Sequence, residues 1–396
     1  MGTKNTTNAI KYLMQKFQSL HTLATQQITK NIVQLEEGYL LQAGSHQFAS
    51  FWTRDFCWSV PGLLSIWQDV VVRDHLSVLL NFLHPEKYII PRLLDTGSGQ
   101  WRVIAYTVGR VLGLSYFYSR QKHWTIRPEY TGEHGTWTID ANILTLIASA
   151  QYVVHSQDYV WLERHHDALV QSYEYYRDKI DSRGLIRQPA YSDWQDSLDR
   201  SGYTTYTNLL HLLFLTEYAG VLGITPLVDR EILKTKILSV FGDKETGLLY
   251  AREGDTFHDL DSQLIALRIW GLVQWNHLIE STLWSQSMLP GGVSTWNNQP
   301  VSWTCRLVGL SSYHKGLRWS WITGEAVNVC VLHNQREKAE EILLAIEHMT
   351  LRDGTIGEIY DSEGRLFQNL LYRSERPFSW WCALILEAIE SYRQKY

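Results

Sequence analysis

Charge is scarce in this chain of 396 residues: Asp, Glu, Lys and Arg together make up 19%, below the ~25% of an ordinary globular protein. Hydrophobic residues reach 45%, enough for a large core, so global disorder is excluded. The 36 Lys and Arg against 41 Asp and Glu leave a formal charge of -5. No basic run follows a face, which removes nucleic acid as an expected partner. Cysteine is sparse as well. Cys57, Cys305, Cys330 and Cys382 are each more than four residues apart, so neither a zinc knuckle nor a redox CxxC is present. No apolar stretch approaches the ~20 residues of a membrane span. The first twenty residues lack the apolar core of a secretion signal and read as an amphipathic helix. These absences predict a cytoplasmic chain with reduced thiols and no membrane partner. Strand–helix–strand alternation and GxGxxG are missing too, so a dinucleotide fold is not expected.

What remains is helical periodicity. Ile10, Leu13, Met14, Phe17 and Leu20 recur at three and four, and Leu23 and Ile28 extend the stripe towards Gly38. Pro61, at a first-turn position, is expected to open a second helix running to Leu83. Further helices are predicted over 139–155, 157–179, 201–221, 229–240, 259–280, 320–334, 335–350 and 375–393. Strand signals are few, at 103–108 and 355–360. No Pro/Ser-rich linker divides the chain, so residues 1–396 are read as a single domain. The longest loops, 38–60, 84–138 and 281–319, are rich in Trp, Asp, Gly and Tyr. Loops of this length in a compact domain are usually functional. Aromatics amount to 13% of the chain, and several stand in polar loops, where flat rings suit the apolar faces of sugars.

Four loop segments carry acidic chemistry. Phe51-Trp52-Thr53-Arg54-Asp55-Phe56 wedges an ion pair among aromatics, a costly arrangement unless paired or solvated; the bland alternative is a brace for the loop. Asp140, after Gly135-Thr136-Trp137-Thr138-Ile139, reads locally as a helix N-cap. Asp193, Asp196 and Asp199 lie three apart beside Trp194. On a helix they would share a face, and crowded like charges with an apolar neighbour raise a carboxyl pKa. The bland alternative there is a solvated loop with caps. Glu358 lies in Gly357-Glu358-Ile359-Tyr360-Asp361, where the alternative is a hairpin edge charge. Between the last two lies Tyr313-His314-Lys315-Gly316-Leu317-Arg318-Trp319, dense in donors and rings. Two carboxylates on separate loops, aromatic platforms and no nucleophilic Ser or Cys motif point to glycoside chemistry.

At these residues the sequence resembles the six-hairpin glycosidases: alkaline/neutral invertases, glycogen-debranching-type and processing α-glucosidases, and trehalases. Trp52-Thr53-Arg54-Asp55-Phe56 followed by Pro61-Gly62-Leu63-Leu64 is similar to their aromatic-x-Arg-Asp-Phe loop and helix. Trp194-Gln195-Asp196 is similar to the segment carrying their general acid, Tyr313-His314-Lys315-Gly316 with Trp319 to an invertase loop, and Gly357-Glu358-Ile359-Tyr360-Asp361 to the segment carrying their base. Pro377-Phe378-Ser379-Trp380 resembles their closing motif. The matches keep their order over residues 46 to 390.

The resemblance implies an all-α fold, an (α/α)6 toroid with a pocket formed by the loops at one end. It also implies inverting hydrolysis of an α-glycosidic bond in a small saccharide, most simply an α-glucoside. Asp196 becomes the general acid, with Asp199 second choice, and Glu358 the base. Trp52, Arg54, Asp55, Asp140, Tyr313, His314, Trp319 and Trp380 become substrate-binding residues. No cofactor or metal is called for. Lys315 and Arg318 depart from the invertase pattern and add positive charge near the leaving-group side. The alternatives are another α/α toroid, such as a sugar epimerase, a cyclase or a transferase, or an inactive sugar-binding protein.

Overall fold

The computed structural model describes residues 16–95, 126–132, 134–269, 272, 273, 280, 295, 299–314 and 316–396. Helix α1, Gln18–Lys30, buries Leu20, Ala24 and Ile28, one turn apart, as its apolar stripe predicts. The residues before Lys16, Lys315 and the strand expected at 103–108 lie outside the described residues.

The stripe does not run on to Gly38. Ile32–Leu35 (β1) and Gly38–Leu41 (β2) form an antiparallel hairpin instead, with Leu35 opposite Gly38. The second helix also differs from expectation. It begins at Thr53, not Pro61, and Pro61 lies inside it (α2, Thr53–Ser65). It ends where Trp67 turns to φ 60°, and α3, Asp69–Asn81, is a separate helix. The first long loop is therefore shorter than the sequence suggests.

The remaining helices among the described residues are α4 (Asp140–Ser156), α5 (Tyr159–Glu174), α6 (Thr205–Leu213), α7 (Arg230–Phe241), α8 (Leu260–Arg268), the short α9 (Trp303–Leu307), α10 (Ser320–Leu332), α11 (Arg336–Asp353) and α12 (Ser379–Lys395). A π-helical turn, Phe214–Tyr218, prolongs α6. Strands are short. Phe51–Trp52 (β3), Leu93–Asp95 (β4) and Arg127–Glu129 (β5) form one antiparallel sheet, with β4 in the middle. Arg318–Trp319 (β6) pairs with Ile359–Tyr360 (β7).

Packing sorts the helices into two sets. Helices α2, α4, α6, α8, α10 and α12 follow one another as neighbours, and α12 closes back onto α2. The other set backs onto this cycle: α1 on α12, α3 on α2 and α4, α5 on α4, α7 on α6, and α11 on α10. Burial follows the division. All nine residues of α6 are buried, against three of twelve in α7. A helix enclosed on every side must be apolar all round, whereas an outer one needs only a stripe. The tightest approach is between α2 and α12. A Cβ added at Gly62 would lie 2.1 Å from the carbonyl oxygen of Ala383, so only glycine allows these backbones to meet.

The N-termini of α2, α10 and α12 gather the loops that carry the acidic motifs. Asp55, Asp140 and Asp261 sit in the first turns of α2, α4 and α8, where the helix dipole favours negative charge. No helix among the described residues is long and apolar enough to cross a membrane. All four cysteines are free thiols.

Candidate active site

A cavity of about 90 Å³ opens at this end of the helical cycle, lined by Phe48, Trp52, Arg54, Asp55, Trp194, Asp196, Tyr313, His314, Trp319, Glu358, Phe378 and Trp380. Both expected catalytic carboxylates, and every expected binding residue except Asp140, therefore meet in one place.

Asp196 reaches the cavity because its neighbours are tied down. The loop segment is a tight turn, so the shared helical face that the three-residue spacing would allow does not form. Asp193 is buried and accepts from the amide of Gln195 at 3.0 Å and the amide nitrogen of Gln188 at 2.9 Å. Such a carboxylate-to-backbone bond replaces helical pairing. The three aspartates consequently fan out: Asp193 into the core, Asp196 into the cavity and Asp199 to solvent. Asp199 does not line the cavity. The Asp196 carboxylate lies 3.7 Å from Arg54 and 3.6 Å from Arg92.

Asp140 does not line the cavity, contrary to expectation. It is the first residue of α4, not its cap. Its two oxygens take Arg54 Nε at 2.8 Å and Nη2 at 3.3 Å, and Thr138 donates at 3.1 Å. Burial pulls the Asp140 pKa up, and Arg54 pulls it back. We read the pair as charged, because an unpaired guanidinium at this depth would cost more than a carboxylate that accepts three hydrogen bonds. Asp140 therefore acts on the cavity through Arg54. Asp55 lies beside Arg54 in the floor, and burial pushes it up to about 7 against the pull of Arg54.

Glu358 stands immediately before β7, whose Ile359 pairs with Trp319 on β6. Its backbone is pinned: Ser320 donates to its carbonyl from both nitrogen and hydroxyl, and its amide donates to Glu375. Tyr313 Oη donates to one carboxylate oxygen at 3.0 Å and Tyr372 Oη to the other at 2.6 Å. Burial pushes this group up to about 8, against the pull of the two phenols. His314 is a buried neutral imidazole, lowered to about 3 by desolvation. It stacks on Trp319 at 5.1 Å, and its Nε2 lies 2.7 Å from the Ser197 hydroxyl. It braces the Asp196 turn and cannot supply protons near neutrality.

The raised Glu358 pKa fixes a stability prediction. A carboxyl near 8 when folded and near ~4.3 when unfolded takes up a proton on folding. Its contribution is whole below the unfolded value and is lost as pH rises through the folded one. Glu358→Gln cannot ionise, so at pH ~8.5 it is expected to melt several degrees above wild type, with the gap closing by pH ~5. Calorimetry across that range reads it, and a gap that does not change with pH would refute the shift.

Three contributors were not found in the sequence, Arg92, Tyr372 and Phe48, while Trp194 and Phe378 stood in its motifs without an assigned role. Arg92 stands 4.8 Å over the Trp52 ring. It interrupts the apolar run Ile89-Ile90-Pro91-Arg92-Leu93-Leu94, and a lone charge in such a run is the signal that could have found it. Tyr372 sits in no motif.

No family model and no curated protein matches the sequence. Solved structures do resemble the fold. A glycosidase superposes with a TM-score of 0.63 at 16% identity, covering 94% of this chain and 96% of its own. A mannosylglycerate hydrolase from Thermus thermophilus, in complex with Tris and D-glycerate, gives 0.61 at 12% identity over 93% and 99%. A rhamnosidase from Klebsiella oxytoca with rhamnose bound gives 0.58 at 10% identity, over 88% of this chain and 59% of its own. The architecture is thus one that glycosidases use.

Proposed function

We propose that this chain is a glycoside hydrolase built as a single-domain (α/α)6 toroid. It cleaves an α-glycosidic bond of a small saccharide by one displacement with water, inverting the anomeric centre. Asp196 protonates the leaving oxygen and Glu358 activates the water. The observation that carries this reading is the meeting of Asp196 and Glu358, from distant loops, in one cavity walled by Trp52, Trp194, Trp319 and Trp380.

The cavity chemistry supports the assignment in three ways. Four indoles and two Phe rings offer apolar faces to a sugar ring. Asp55 and Arg54 give the floor an acceptor and a donor for hydroxyls. The two phenols hold the Glu358 carboxylate in one orientation, which lets it aim at a water. The guanidinium groups of Arg54 and Arg92 beside Asp196 also suit a leaving group with a negative charge, in keeping with a fold neighbour that is a mannosylglycerate hydrolase.

The test is a panel of sucrose, trehalose, maltose, isomaltose, glucosylglycerate and mannosylglycerate, with NMR of the first sugar released. A β-anomer from an α-substrate is expected. An α-anomer as first product would overturn the single displacement, and no hydrolysis of any α-glycoside would overturn the reading itself.

A further inference from the structure

A second cavity, of about 60 Å³, lies behind the wall of the first and is lined by His46, Arg373, Ser374, Glu375 and Arg376. None of these residues lines the active-site cavity. The wall between them is thin in sequence: Phe48 and Phe378 face the active site, and His46 and Arg376 lie two residues before them.

The only carboxylate in the second cavity is already engaged. Glu375 is buried, and its Oε1 accepts from the amides of Ser45 at 3.1 Å, His46 at 2.9 Å and Arg376 at 3.2 Å. His46 Nδ1 lies 3.1 Å from the same oxygen, and the amide of Phe48 donates to Oε2 at 3.0 Å. Arg373 Nε is buried with no hydrogen-bond partner among the described residues. A buried donor left unmade is unfavourable, so this one is waiting for an acceptor. The hydrogen bond to Glu375 raises the His46 pKa, against burial and Arg373. Two arginines and a histidine thus face one satisfied carboxylate, leaving net positive charge around a space large enough for about four water-sized groups.

We propose that this cavity binds a small oxyanion, a carboxylate or phosphate group, between Arg373, Arg376 and His46. Arginine forks match both groups in a bidentate manner. The site is wired to the reaction centre. The amide of Glu358 donates to the Glu375 carbonyl at 3.0 Å, and the Glu375 amide lies 3.5 Å from Glu358 Oε2. An anion here draws on the same short segment that holds Glu358. It comes either as a charged substrate group other than one held at Arg54 and Arg92, or as a free ion.

The experiment titrates inorganic phosphate into the full chain and follows the His46 imidazole by NMR, with assignment by His46→Asn. Binding does not need hydrolysis, so its failure is separate from failure of the proposed function. The expected result is a saturable shift, weakened about tenfold or more in Arg373→Gln and Arg376→Gln and kept in Arg92→Gln, whose guanidinium lies beside Asp196 and outside the second cavity. Absence of a saturable shift in the wild type, or equal binding in both arginine variants, would overturn the site. Kinetics then separate the sources. A KM increase in Arg373→Gln confined to anionic substrates marks a substrate group, and phosphate that alters turnover of neutral substrates marks a free ion.

Discussion

Glu358→Gln is expected to lower turnover by about 10²–10⁴-fold on every glycoside, and Asp196→Asn by a similar factor only where the leaving group needs a proton. The two variants separate on a glycosyl fluoride, whose departure requires no acid. Asp196→Asn should hydrolyse it at a rate near wild type, while Glu358→Gln should not, because it has lost its base. The raised Glu358 pKa sharpens the test. A base works only when ionised, so kcat/KM should climb with pH towards about 8. Were Glu358 the acid instead, activity would fall over that limb, and the fluoride would rescue Glu358→Gln in place of Asp196→Asn. Its burial and its two phenol partners make that exchange of roles a concrete alternative outcome. Near-normal hydrolysis by both variants would remove the pair from the chemistry altogether.

Legibility in the sequence followed the distance between cause and effect along the chain. The acidic loops were readable because in each a short motif contains both the charge and the aromatic residue beside it. Helices α4, α7, α8, α10 and α11 begin within one residue of the sequence expectation, since their apolar patterns are local. The hairpin over 32–41 was hidden, because Ile32, Val33 and Leu35 continue a pattern that a helix also satisfies. Helix α2 was misread through Pro61, whose cost inside a helix is outweighed by the α2–α12 contact that Gly62 permits. Asp140 looked like a ligand and is a support, because its partner Arg54 is 86 residues away in the sequence. Tyr372 and Glu375 depend wholly on tertiary placement, so nothing in their own neighbourhood marks them.

The largest stability effect is expected at Arg200, which makes the turn that presents Asp196 and the core beneath it a single unit. Its guanidinium is buried, 3.1 Å from Asp259, 3.5 Å from Asp193 and 3.9 Å from Asp261, and it also donates to Gln195. Burial opposes the charge on Arg200, but the three aspartates outweigh it. Burial also raises Asp259, against the pull of Arg200, and raises Asp261 well above the usual carboxylate range, with Asp259 adding to the rise. Arg200→Ala strands these groups and is expected to cost about 3–5 kcal/mol at pH ~7. The sign of the pH dependence follows. Aspartates without their cation move further up, and a raised folded pKa contributes stability that is present at low pH and lost as pH rises. The deficit should therefore shrink between pH ~7 and pH ~5 in urea unfolding, and a loss of equal size at both would refute the assignment. Arg200→Lys should recover only part, because one ammonium cannot reach acceptors spread across a planar fork. Function should follow in the folded fraction as well. Arg200 holds Gln195 and Asp261 holds the Trp194 indole at 2.6 Å, so the residues next to and two before Asp196 both lose their anchor. Turnover of Arg200→Lys at a temperature where it is fully folded should then drop while KM for the sugar changes little, as a displaced acid requires.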